Sequence, residues 1–128
     1  MKKILLFATL LLLTACQETL EDRCARECKE YTQKKCPVLV TNGVTLDSMT
    51  FDKSQLLMTY YYTVSGILDD AEALRENNAS SLLLKELKNT AALKLYKDAG
   101  YSFRYVYHSS TEKGTRVLDT TFRKKDYQ

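Results

Sequence analysis

The chain has 128 residues, and its 19 Lys and Arg stand against 16 Asp and Glu for a formal net charge of +3. That length is one ordinary domain, and no block of five or six like charges marks a surface for nucleic acid or anionic lipid headgroups. A 45% apolar content with 9 tyrosines and no tryptophan supplies a core, and Arg123-Lys124-Lys125 reads as a solvated tail.

Met1-Lys2-Lys3 is a short positive start, and Ile4 to Leu13 is apolar apart from Thr9. About ten residues at about 1.5 Å each fall short of a hydrocarbon core of about 30 Å. A positive start, a short apolar stretch and small residues at its end are the marks of a cleaved signal peptide. Leu13-Thr14-Ala15-Cys16 closes the segment. These four residues resemble the lipobox of bacterial lipoproteins: an aliphatic residue, two small ones and a cysteine. The resemblance implies that Cys16 carries a diacylglycerol after residues 1–15 are removed, and that the membrane is a partner through the acyl chains rather than through a spanning helix. Gln17 in place of Asp, by the same resemblance, implies the outer membrane. Lys2 and Lys3 leave with the signal, so the mature chain is close to neutral.

Residues 16–37 form the lipidated N-terminus and an amphipathic helix. Leu20, Cys24, Cys28 and Tyr31 recur at spacings of four, four and three on one face, and Cys36-Pro37 stops the helix. An oxidising compartment favours a disulfide. Cys24 and Cys28, one turn apart on a helix, have Cβ atoms about 5–6 Å apart against about 3.8 Å in a disulfide. The expected bond therefore joins Cys36 to Cys28 or to Cys24, leaving one thiol over. The spacing lacks the paired C-x₂-C of zinc sites, so no metal is expected.

Residues 38–128 read as a single α+β domain. Strand chemistry begins at Val44 after the turn signal Asn42-Gly43 and resumes from Leu56 to Val64 past Asp52-Lys53-Ser54, which makes a hairpin. In the second run Leu56, Met58, Tyr60, Tyr62 and Val64 share the more apolar face, so only Tyr61 of the tyrosine triplet points outward. Residues 69–99 carry two or three helical pieces. Asp69-Asp70 caps the first, Ser80 or Ser81 opens the second, Asn89 caps a third and Gly100 ends it. Tyr101, Phe103, Tyr105 and Tyr107 alternate with Ser102, Arg104, Val106 and His108, then Ser109–Gly114 connects to a return strand from Arg116 to Phe122. The expected fold is a helix, a β-hairpin, helical pieces and a second β-hairpin. Its helices lie on one face of a four-stranded antiparallel sheet.

No catalytic motif is present: G-x-S-x-G, H-E-x-x-H, G-x-G-x-x-G and the phosphate loop are all missing, and His108 has no identifiable carboxylate or nucleophile partner. No cofactor is implied. Asp47-Ser48-Met49 and Asp119-Thr120-Thr121 resemble a short O-glycosylation acceptor of Bacteroidetes envelope proteins. Tyr31-Thr-Gln-Lys-Lys-Cys-Pro37, Leu46-Asp-Ser-Met49 and Lys97-Asp-Ala-Gly-Tyr101 resemble small lipoproteins of that phylum, which bring no assigned activity. The expected function is a lipid-anchored, non-catalytic binding or accessory module of the cell envelope, with an envelope protein as partner. The alternatives are an inhibitor or immunity protein that blocks a toxin, lysozyme or protease, or, further off, an enzyme of another type. The expected partner surface is the outward sheet face, with Tyr61, Arg104, His108 and Arg116.

Overall fold

The computed structural model describes residues 17–128, so the signal segment and Cys16 lie outside the described residues. Helix α1 spans Leu20–Lys35. Thr19 caps it by accepting from the Asp22 N–H at 3.1 Å, with Glu21 and Asp22 in the first turn and Lys34 and Lys35 in the last, as the helix dipole favours. Cys24 and Cys28 are buried on its inner face, as the stripe predicts.

Five strands follow the helix in one sheet, in the order β1 (Val38–Thr41), β2 (Val44–Asp52), β3 (Leu57–Val64), β4 (Ser102–Ser109) and β5 (Arg116–Phe122). The expectation of four antiparallel strands is corrected twice. Val38–Thr41 adds a short edge strand, folded back on β2 through Gly43 at φ +78°. The central step is parallel, with Leu57 opposite Ser102 and Val64 opposite Ser109, while β1–β2, β2–β3 and β4–β5 are antiparallel. Residues 65–101 cause this, because they return the chain along the sheet to the end where β3 began. Parallel neighbours need such a crossover, whereas antiparallel ones need only a turn.

The crossover contains a short 3-10 turn (Gly66–Leu68), α2 (Ala71–Glu76), α3 (Ala79–Asn89), a second 3-10 turn (Ala91–Leu93) and α4 (Lys94–Asp98). Asp70 caps α2 by accepting from the Glu72 N–H at 2.9 Å. Helix α3 opens at Ala79, one or two residues before the expected Ser80 or Ser81, after Asn78 in the left-handed conformation at φ +54°. Thr90 rather than Asn89 precedes the last pieces. Arg123, Lys124 and Lys125 are exposed, as expected of a solvated tail, but the tail is ordered as a final short helix, α5 (Lys124–Tyr127), whose Tyr127 hydroxyl donates to the Tyr101 carbonyl at 2.8 Å.

The core lies on one side of the sheet. Met58, Phe103, Tyr105 and Phe122 meet Cys24 and Cys28 of α1, Leu83 and Leu87 of α3, and Tyr96 of α4. Helix α1 thus lays its cysteine face on residues 38–128 and shares their core. A bulge in β2 between Leu46 and Ser48 shifts the alternation by one residue. Met49 and Phe51 consequently join Val44 and Leu46 on the core side. Phe51 stacks on Tyr101 at 5.2 Å, and Tyr96 stacks on the same ring at 5.4 Å. Thr32 of α1 splices the helix to this strand, accepting from the Met49 N–H at 2.9 Å and donating to its carbonyl at 3.2 Å.

Candidate functional site: an aromatic groove beside helix α1

Two surfaces gather side chains that could meet a partner. The first is the outward sheet face, where the structure brings together all four residues expected from the sequence. Tyr61 stacks on His108 at 6.3 Å across the parallel step. Arg104 grips Asp119 with two parallel bonds, Nε to Oδ1 at 2.9 Å and Nη2 to Oδ2 at 2.6 Å, and Arg116 adds a third at 3.0 Å. The Arg104 guanidinium holds the Asp119 carboxyl below the usual aspartate range, against a smaller opposing effect of burial. Both arginines are thus already engaged by one carboxylate. Val106 is fully buried amid this cluster, so the centre of the outward face is closed over.

The second surface is a groove of about 340 Å³ on the helix side. Leu46, Met49, Met58, Tyr60 and Tyr62 form its floor. Glu27, Cys28 and Tyr31 of α1 form one wall, and Thr90, Ala92, Leu93 and Tyr96 form the other. The Tyr96 hydroxyl donates to Glu27 Oε2 at 2.7 Å and ties the walls together. Tyrosines continue the floor across the sheet: Tyr60 stacks on Tyr105 at 5.1 Å, and Tyr62 meets Tyr107 edge-on at 4.9 Å. Burial pushes the phenols of Tyr60, Tyr62 and Tyr105 above the ordinary tyrosine value, and that of Tyr107 up to about 12. They are neutral hydroxyls at physiological pH, giving an apolar surface with polar tips.

Sequence reasoning places Tyr60 and Tyr62 on the core side, where they are, but takes them for closed packing. Tyrosine where leucine or phenylalanine would fill a sealed core is the signal for a floor that stays partly open, because each hydroxyl needs a polar neighbour or water.

The three thiols do not form the expected clasp. Cys24, Cys28 and Cys36 are all free. Helix α1 runs unbroken to Lys35, so Cys36 lies eight residues and about 12 Å along the axis from Cys28, beyond the roughly 7 Å Cα reach of a disulfide. Cys24 is farther still. A hydrogen bond to Cys28, together with burial, pushes the Cys24 thiol well above its usual value. Among the described residues no group of His, Cys, Asp or Glu is arranged to hold a metal ion, and no helix is long and apolar enough to cross a membrane.

The fold is that of a helix-backed five-stranded sheet with one parallel step, and two solved structures share it. A protein of Pseudomonas aeruginosa described as secreted is 14% identical, with a TM-score of 0.65 over 88% of this chain and 100% of its own. The pilotin EpsS of the Vibrio vulnificus type 2 secretion system is 12% identical, with a TM-score of 0.64 over 85% of this chain and 92% of its own. In sequence the chain belongs to the DUF8479 family, a domain of unknown function, whose profile matches residues 19–118. No curated protein matches the chain in sequence.

Proposed function

We propose that this protein is a lipid-anchored accessory protein of the cell envelope that binds, without catalysis, an apolar segment of an envelope protein in the groove beside α1. The groove carries the reading. A concavity of a few hundred cubic ångströms, apolar on its floor and polar at its tips, suits two or three side chains from one face of an amphipathic helix. The fold shared with a pilotin of a secretion system supports an accessory role, and Leu13–Cys16 supports attachment through Cys16 to the membrane, with the outer membrane favoured by Gln17. The absence of a catalytic motif in the sequence agrees with a binding role.

Affinity purification from detergent-solubilised envelopes tests both halves. Wild-type protein is expected to bring down one or a few envelope proteins and to incorporate a clickable fatty acid. Leu93→Asp is expected to lose the partner while keeping the label, because a charge in the groove wall opposes apolar docking. Cys16→Ser is expected to lose the label. Retention of the partner by Leu93→Asp refutes the groove, and labelling of Cys16→Ser refutes the anchor.

A second reading, an inhibitor or immunity protein, draws on the β4–β5 loop. Asp69 Oδ2 accepts from the backbone and hydroxyl of Ser110 at 3.1 and 3.0 Å and from those of Thr111 at 3.3 and 3.1 Å, which holds an exposed loop in one shape. A single stoichiometric toxin, lysozyme or protease in the same purification, lost on changing this loop and not Leu93, favours that reading.

A further inference from the structure

Cations dispersed in sequence converge at one end of the domain. Strands β2 and β5 finish there, and β3 and β4 begin there. Tyr101 sits at its centre, bonded to Tyr127 of α5 and lying near Glu21 in the first turn of α1. Lys88, Lys97 and Lys124 line one concavity at this end, and Arg123 and Lys125 flank it in sequence. Glu18, Asp22 and Asp98 are paired with Arg26, Lys53 and Lys94, and Asp126 accepts from the Arg123 N–H. Among the described residues Lys88, Lys97, Arg123, Lys124 and Lys125 make no ion pair, although Lys97 Nζ donates to the Leu87 and Lys88 carbonyls. At the same end the carboxylates of Glu21, Asp52 and Asp126 also have no cation partner, so unpaired cations outnumber unpaired carboxylates.

The first turn of α1 lies at the same end. Three residues separate Cys16 from Leu20, and the four Cα steps between them reach at most about 14 Å. We propose that this basic end docks on anionic phospholipid headgroups, so that the β4–β5 loop points away from the membrane. The orientation rests on the anchor at Cys16 proposed above. The charge complementarity does not, since it follows from the folded domain alone. A tether this short keeps the cations within one or two Debye lengths of the surface, where each basic side chain strengthens attachment by roughly fivefold. The sequence hides the cluster because its members come from α3, α4 and α5.

The test uses the acylated protein reconstituted in vesicles of phosphatidylethanolamine, with or without phosphatidylglycerol. A fluorescent amino acid replaces Gln128 or Lys113, and energy transfer to a lipid-borne acceptor is measured. Transfer is expected to be stronger from position 128 than from 113, to rise with phosphatidylglycerol and to fall with salt. The variant Lys88→Glu/Lys124→Glu/Lys125→Glu, with unchanged melting temperature, is expected to lose the phosphatidylglycerol dependence. Equal transfer from both positions, or indifference to phosphatidylglycerol and salt, overturns the proposal. The mass of the Cys16 peptide reports the anchor separately. If that peptide is unacylated the anchor fails, and docking is then scored by cosedimentation with phosphatidylglycerol vesicles, where failure to bind overturns it too.

Discussion

The Tyr96 hydroxyl donates to Glu27 Oε2 at 2.7 Å, and this bond joins α4 to α1 over the edge of the aromatic groove. Arg23 holds the same carboxylate from the outer side at 2.8 Å, so Glu27 is fixed between a cation and a phenol. Removing the hydroxyl in Tyr96→Phe keeps the ring stacked on Tyr101 and deletes only the link. The expected cost is about 1 kcal/mol, since Glu27 is partly solvated. Urea unfolding should show the midpoint falling with an unchanged slope, while partner affinity changes more than stability does. A partner affinity equal to wild type would show that the link does not shape the groove.

The thiols give a direct chemical prediction. In the native state a small alkylating reagent is expected to modify Cys36 first, because it is only half-buried, whereas Cys24 and Cys28 are sealed in the core. Denaturant should render all three equally reactive. Non-reducing peptide mapping is expected to find no bond between Cys36 and either helical cysteine. Such a bond would mean that α1 ends earlier than Lys35.

On the outward face the sign of the pH effect follows from Asp119. Its folded-state pKa is depressed, chiefly by the Arg104 hydrogen bond, so its stabilisation is fully present above the ordinary aspartate value near 4. That stabilisation is lost as pH falls through the lowered value. Carboxyl chemical shifts followed by NMR should place the Asp119 transition below that of an exposed aspartate. Asp119→Asn should lower stability at neutral pH by about 1 kcal/mol and flatten the acid limb of the stability curve. An Asp119 transition in the ordinary range would contradict the geometry.

Much of the architecture can be read from alternation and spacing, since Leu20, Cys24 and Cys28 mark the inner face of α1, and Tyr60, Tyr62, Phe103 and Tyr105 mark the core side of the sheet. The parallel step cannot. Nothing in Tyr101–His108 reveals its direction relative to β3, which is set by the path of residues 65–101. Val38–Thr41 is too short to show a period, and the bulge between Leu46 and Ser48 reverses the faces of Met49 and Phe51. Pairing Cys36 with Cys28 fails on axial rise, a distance that appears only once the helix is seen to be continuous. The groove stays hidden because whether Tyr60 and Tyr62 are covered depends on how far α1 stands from Leu93.

Site-specific photo-crosslinking in intact cells tests the central claim, that the groove holds an envelope protein segment. A photoreactive amino acid is placed at Tyr31 or Ala92 on the groove, at Thr121 on the outward sheet face, and at Lys113 in the β4–β5 loop. One discrete adduct with an envelope protein is expected from positions 31 and 92, and none from 121 or 113. Adducts from 121 or 113 with none from 31 and 92 would contradict the account and move the partner to the outward face or the loop.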